Sequence, residues 1–107
     1  MMPKSAGKLI ITYRIEPDGA AQVAVGRDAW ALRNLVNAGE RGCTPIDHPG
    51  PRWSHYTFKL RRAGVLIETI HEPHGGQFSG THARYILRSG VTILSDSSDA
   101  QSGGLAA

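Results

Sequence analysis

Cysteine occurs once in this chain, at position 43, so no intramolecular disulfide can staple the fold, and a reducing, cytoplasmic compartment is the simplest setting. Long apolar runs are also missing. Stretches such as Leu9-Ile10-Ile11 and Val65-Leu66-Ile67 fall far short of the about 20 residues that cross a bilayer, so no membrane association is expected. A single Lys before residue 5, with no long apolar stretch behind it, gives no signal peptide either. A phosphate-cradling glycine loop, a paired-carboxylate site and a serine elbow are all lacking, and an enzyme is not expected. Glycine and proline, 13 and 6 of 107 residues, stay below the roughly 25–30% that marks a low-complexity chain. What remains is a globular composition, 40% hydrophobic and 20% charged, at a length that holds one small domain.

Acidic residues are scarce in one segment in particular. Residues 51–70 hold Arg52, Lys59, Arg61 and Arg62 against Glu68 alone, while the rest of the chain is close to balanced within a net charge of +3. Positive charge gathered in one segment is the footprint of a polyanion-binding element. A solvated helix face is the plainer reading of such a cluster, and charge alone does not choose between them.

Residues 1–7 and 95–107 are small and polar and are expected to be mobile or disordered ends around one folded unit over 8–94. Its first part, 8–26, predicts a β-hairpin. Leu9, Ile11, Tyr13 and Ile15 recur at period two, Pro17-Asp18-Gly19 makes a turn, and Gln22–Val25 returns with Val23 and Val25 on one face. Asp28 is then expected to cap a helix that turns Ala29, Leu32, Leu35, Val36 and Ala38 inward and stops at Gly39 and Gly42. Thr44 can cap a brief turn at Pro45, and Pro49 and Pro51 leave room for only a very short helix here. A basic helix follows over 52–63, with Pro51 at its start and Gly64 as its stop. Trp53, Tyr56, Leu60 and Ala63 form its core stripe. Ser54, His55, Thr57, Lys59, Arg61 and Arg62 lie opposite without a single acid, with Phe58 at the margin. Val65–Ile70 and His82–Arg88 read as strands flanking a long loop, 71–81, and Val91–Leu94 as a final strand.

The order helix, glycine turn, short turn, basic helix, strand, glycine-rich loop, strand over residues 27–90 resembles a small bacterial or phage winged helix-turn-helix domain protein. The likeness runs through Pro51-Arg52-Trp53-Ser54-His55-Tyr56, Leu60-Arg61-Arg62-Ala63-Gly64-Val65, Glu68-Thr69-Ile70, Glu72-Pro73-His74-Gly75-Gly76 and Thr81-His82-Ala83-Arg84-Tyr85. The proline-crowded Pro45–Pro51 departs from the usual second helix. The resemblance implies an α+β winged helix with an added N-terminal β-hairpin. It also implies double-stranded DNA binding as a transcriptional regulator, with the basic helix in the major groove and the 71–81 loop as the wing.

The residues support the same reading. Arg can bond guanine N7 and O6, Ser and Thr can reach bases or phosphates, and Lys neutralises phosphate. Ser54, His55, Thr57 and Arg61 are expected nearest the groove, with Arg52, Lys59 and Arg62 straddling the backbone. Gly75 and Gly76 let a wing approach the duplex, and Arg84 and Arg88 can add two phosphate contacts. Five histidines and Cys43 match no zinc-binding spacing, so neither metal nor cofactor is expected. Cys43 beside a histidine can in principle form a nucleophile pair, but a small buried residue is the plainer reading. The rival function is a winged-helix module for protein–protein contact, in which Phe58, Phe78 and the hairpin matter more than the arginines. An open hairpin edge also predicts a homodimer, unless Val91–Leu94 or the wing strands cover it.

Overall fold

Alternation sets the first element. Ile11 and Tyr13 are 0% and 1% exposed, so strand β1 (Ile10–Ile15) buries one face, as its period of two requires. The computed structural model describes residues 8–50, 52–75 and 80–97. In it, β1 pairs antiparallel with β2 (Ala21–Val25) on one side and β5 (Val91–Asp96) on the other, giving a sheet of order β2-β1-β5. The edge of β1 that was open to a second chain is therefore filled by the chain's own last strand. Register also settles which face of β2 is inward. Ala24 lies opposite Ile11 and is buried with it, which turns Val23 and Val25 to the outside. The folded unit runs past residue 94, because Ile11 pairs with Asp96, whose carboxylate is buried and lies 3.7 Å from the Arg33 guanidinium. Ser95 and Asp96 thus belong to the sheet and not to a tail. The expectations for 1–7 and 98–107, like those for Pro51, Gly76 and Phe78, lie outside the described residues.

Helix α1 (Arg27–Ala38) starts one residue before Asp28, with Gly26 at the cap position. The Asp28 carboxylate is not a cap, because it is drawn across to Lys59 Nζ at 3.0 Å. Gly39 ends the helix, a 3₁₀ turn follows over Gly39–Arg41, and Gly42 ends that in turn at φ 74°. Past Gly42 the chain runs against strand β4 (Gly80–Leu87). Cys43 and Tyr85 exchange two backbone hydrogen bonds, at 2.9 and 2.8 Å. A Cβ on Gly42 would sit 2.7 Å from the Tyr85 carbonyl oxygen, so this close approach needs glycine. Thr44 does cap the following turn, its Oγ1 accepting from the N–H groups of Ile46 and Asp47 at 3.2 and 3.0 Å.

Helix α2 (Trp53–Arg62) has Arg52 at its cap position. It closes in a Schellman arrangement: Gly64, at φ 103°, donates its N–H to Arg61 O at 2.9 Å, and Val65 donates to Leu60 O at 3.1 Å. Val65 is spent on that closure, so β3 begins two residues later than the sequence suggests and spans Ile67–His74. The pair β3–β4 is a continuous antiparallel ladder from Ile67↔Leu87 to His74↔Gly80. Most of the expected 71–81 loop is therefore strand, leaving 75–79 as the connection. Trp53, Tyr56 and Leu60 are buried in one core with Leu32, Leu35 and Tyr85.

Positive φ at Gly39 and Gly42 offers a controlled comparison, since a Cβ meets open space at the first and backbone at the second. Gly39→Ala should cost about 1–3 kcal/mol from backbone strain alone. Gly42→Ala should cost clearly more and loosen the Cys43–Tyr85 bridge. Urea denaturation and amide exchange at Tyr85 measure the two effects.

Candidate nucleic-acid interface

The roll of α2 about its axis is set by rings. Trp53 stacks on Tyr85 with centroids 5.6 Å apart and planes at 16°, and tilts against Trp30 at 5.3 Å. Its Nε1 donates to the His48 carbonyl at 2.7 Å. Tyr56 presents an edge to Trp30 at 6.3 Å. At 3.6 residues per turn, the row diametrically opposite this buried stripe is Ser54, Phe58 and Arg62, with His55 beside it. Phe58 is 53% exposed and the Arg62 guanidinium lies 5.8 Å from its ring centroid. The sequence puts Phe58 at the margin of the basic face; it stands at the centre. The signal was present in the spacing, four residues from Ser54 and four from Arg62.

The other expected site residues divide sharply. Ser54, His55, Arg52 and Arg62 are exposed, and among the described residues Arg52 and Arg62 have no acidic partner. Thr57 is not on the outer face. It is 1% exposed, with its hydroxyl donating to Ser54 O at 3.1 Å. Arg61, expected nearest the groove, has its side chain engaged within the domain. Its guanidinium is turned onto β3, donating to Ile67 O at 3.2 and 2.6 Å and to Thr69 Oγ1 at 2.8 Å. On the opposite flank Lys59 is held by Asp28. Arg84 is half-buried instead of pointing outward, donating to both Glu72 oxygens at 2.6 and 3.0 Å and to Arg41 O at 2.7 Å. Arg88 is exposed and paired with Glu68 at 2.6 Å. Gly75 is exposed near the end of the β3–β4 pair.

An open cleft of about 290 Å³ lies beside the start of α1, lined by Lys8, Leu9, Gly26, Arg27, Trp30 and Arg33. Two of its three cations, Arg27 and Arg33, lie on α1, and Lys8 comes from the chain before β1.

A family model described as a winged helix domain matches residues 21–97, taking in β2, both helices, β3–β4 and β5. The chain belongs to this winged helix family. Neither the curated proteins nor the solved structures give a match.

Within the winged helix domain, β3 and β4 form the wing, and Glu72 is the hub of its polar face. The Arg84 guanidinium, bonded to both carboxylate oxygens, holds the Glu72 carboxyl below its ordinary value, and His82 Nε2 at 3.0 Å adds to the effect. The same pairing raises Arg84. Across the wing, Cys43 is fully buried, and burial pushes its thiol up to about 11. A thiol so placed stays protonated at neutral pH and lacks the thiolate that nucleophilic chemistry needs. Among the described residues, no three of His, Cys, Asp and Glu gather to hold a metal ion, and no helix is long and apolar enough to cross a membrane.

Glu72 gives the winged helix domain an acid-sensitive wing. A carboxyl whose folded pKa is depressed contributes stability that is present in full above its unfolded value and is lost as pH falls through the lower folded value. Urea denaturation from pH 7 down to pH 2 should show that loss, and Glu72→Gln should remove this share of it.

Proposed function

We propose that this winged helix domain binds double-stranded DNA with α2 in the major groove and acts in the cytoplasm as a transcriptional regulator. The observation that carries the reading is the outward row of α2. It presents Ser54, Phe58 and Arg62, with His55 and Arg52 beside them, free of carboxylates and with two arginines that have no acidic partner among the described residues. A B-form major groove, about 12 Å wide, admits one helix, and base edges there ask for donors. Arg62 and His55 reach the bases, Ser54 a base or phosphate, and Arg52 the backbone at the start of the helix. Arg88 and Glu68 form an exposed pair of the kind worth about 0–1 kcal/mol, and Lys59 is exposed beside a largely covered Asp28, so each cation can exchange its carboxylate for a phosphate. Arg61 and Arg84 act from behind, holding the wing in place. Gly75, just past the end of β3, lets the wing come close to the duplex. A homodimer on a symmetric site would use the outer edge of β2, which has no strand partner among the described residues.

A second reading rests on the sheet. Ile10, Val23, Val25 and Leu94 are 38%, 61%, 42% and 46% exposed, an apolar outer surface suited to a protein partner. Salt separates the two, because phosphate contacts release counterions and an apolar interface does not.

Anisotropy titrations against duplexes selected from a random pool, at several salt concentrations, test the proposal. Arg62→Ala should weaken the selected duplex by about 1–3 kcal/mol and relax preference at one position, and Arg52→Ala should weaken all duplexes alike and reduce the salt slope by about one. Arg61→Ala should lower stability more than either. Absence of salt-dependent binding to any duplex would sink the DNA reading.

A further inference from the structure

We infer that Phe58 and Arg62 form a two-residue reader: Phe58 contacts the C5 methyl of a pyrimidine, and Arg62 bonds a guanine one or two base pairs away. The inference rests on the DNA-binding reading above and names what that site selects. Phe58 is the one large apolar side chain on the outward row, and it is not an isolated surface residue. It lies at the row's centre, flanked by Ser54 one turn before and Arg62 one turn after, with Arg62 5.8 Å from its ring centroid.

The chemistry of each partner is narrow. A phenyl ring carries no hydrogen-bonding atom, so pressed against a base edge it desolvates whatever it covers. Over the N4 amine of cytosine, or the N7 and O6 of guanine, that leaves a polar group unpaired and costs affinity. The C5 methyl is the single apolar feature in the major groove, and only there does burial of the ring favour binding. Arg62 is held by the same ring. A guanidinium over an aromatic face loses part of its rotamer freedom before binding and keeps its fork of N–H donors for guanine N7 and O6. Their 5.8 Å separation lies between one and two base steps of about 3.4 Å each, so the two groups reach different base pairs. Thymine and 5-methylcytosine share the methyl, and base substitution tells them apart.

The experiment uses the full chain and the duplex it selects from a random pool. Each thymine is replaced singly by deoxyuridine, which removes only the methyl, and each guanine by 7-deazaguanine, which removes N7. Wild-type protein should lose about three- to fivefold at one thymine, as expected for a single buried methyl. Phe58→Ala should bind more weakly and be indifferent at that same thymine. At one nearby guanine the deaza substitution should weaken wild type and leave Arg62→Ala unaffected. Cytosine at the thymine position should bind worse than 5-methylcytosine if the methyl itself is read. Wild-type indifference to uridine at every thymine, or a Phe58→Ala protein that still feels the substitution, overturns the Phe58 half. Indifference to deazaguanine overturns the Arg62 half. If no duplex is bound at all, the DNA reading fails first and takes this inference with it. Phe58 is exposed, so unchanged melting of Phe58→Ala confirms that its effect is local.

Discussion

Trp53 touches three separate stretches of chain through one ring: Trp30 of α1, the His48 carbonyl of the linker, and Tyr85 of β4. Aromatic pairs add about 0.5–1.5 kcal/mol beyond their buried area, and the Nε1–H bond adds direction that area alone lacks. The helix cannot roll without breaking all three contacts. What α2 shows to solvent therefore follows from what Trp53 does in the core. Phe58 and Arg62 face outward because Trp53, Tyr56 and Leu60 face inward on the same ten-residue helix.

Cations in this domain do two kinds of work, and their neighbours decide which. Arg61 and Arg84 lie within reach of carbonyl oxygens, Ile67 O and Arg41 O, that the strands and the 3₁₀ turn leave free. Their planar forks bind those oxygens together with a side-chain acceptor. Each arginine thereby links two elements, α2 to β3 in one case and β4 to the turn after α1 in the other. Arg52 and Arg62 are exposed and have no acidic partner among the described residues. A count of positive charge in residues 51–70 treats all four cations alike, whereas the fold uses one of them as a fastener.

That difference marks how far the sequence could be read. Strong periods were legible: β1 from its alternation, the inward faces of α1 and α2 from their stripes, the turn from Thr44 and the stop from Gly64. Polar and glycine-rich strings were not. Ser95-Asp96 looks like the start of a tail, but the register of β5 against Ile11 puts Asp96 inside, against Arg33. Pro73 beside His74 and Gly75 reads as loop, yet proline is tolerated in β3 because that strand pairs on one side only. Asp28 has the chemistry of a cap and lies in the right place, but Lys59 is close enough to claim its carboxylate. For the site, the face of α2 was legible and the orientations upon it were not. Thr57 and Phe58 are neighbours whose roles exchange once the roll of the helix is set by Trp53.

The stretch between the helices shows why α2 can be presented without a middle helix. Residues 42–50 contain no α-helix, yet they are tied at both ends. Cys43 is bridged to Tyr85, Thr44 closes the turn, His48 accepts from Trp53, and Gly50 packs so close to Trp30 that a Cβ would meet its ring at 2.9 Å. Fixing a linker in this way costs backbone entropy of about 1–2 kcal/mol per residue, which the core contacts at Trp30, Trp53 and Tyr85 must offset. In return the position of α2 is referred to β4 as well as to α1, through Trp53 on Tyr85 and on Trp30. Arg61 on Ile67 ties α2 to the wing directly, and Trp53 on Tyr85 does so again through the core. These two links set the spacing between the outward row of α2 and the wing.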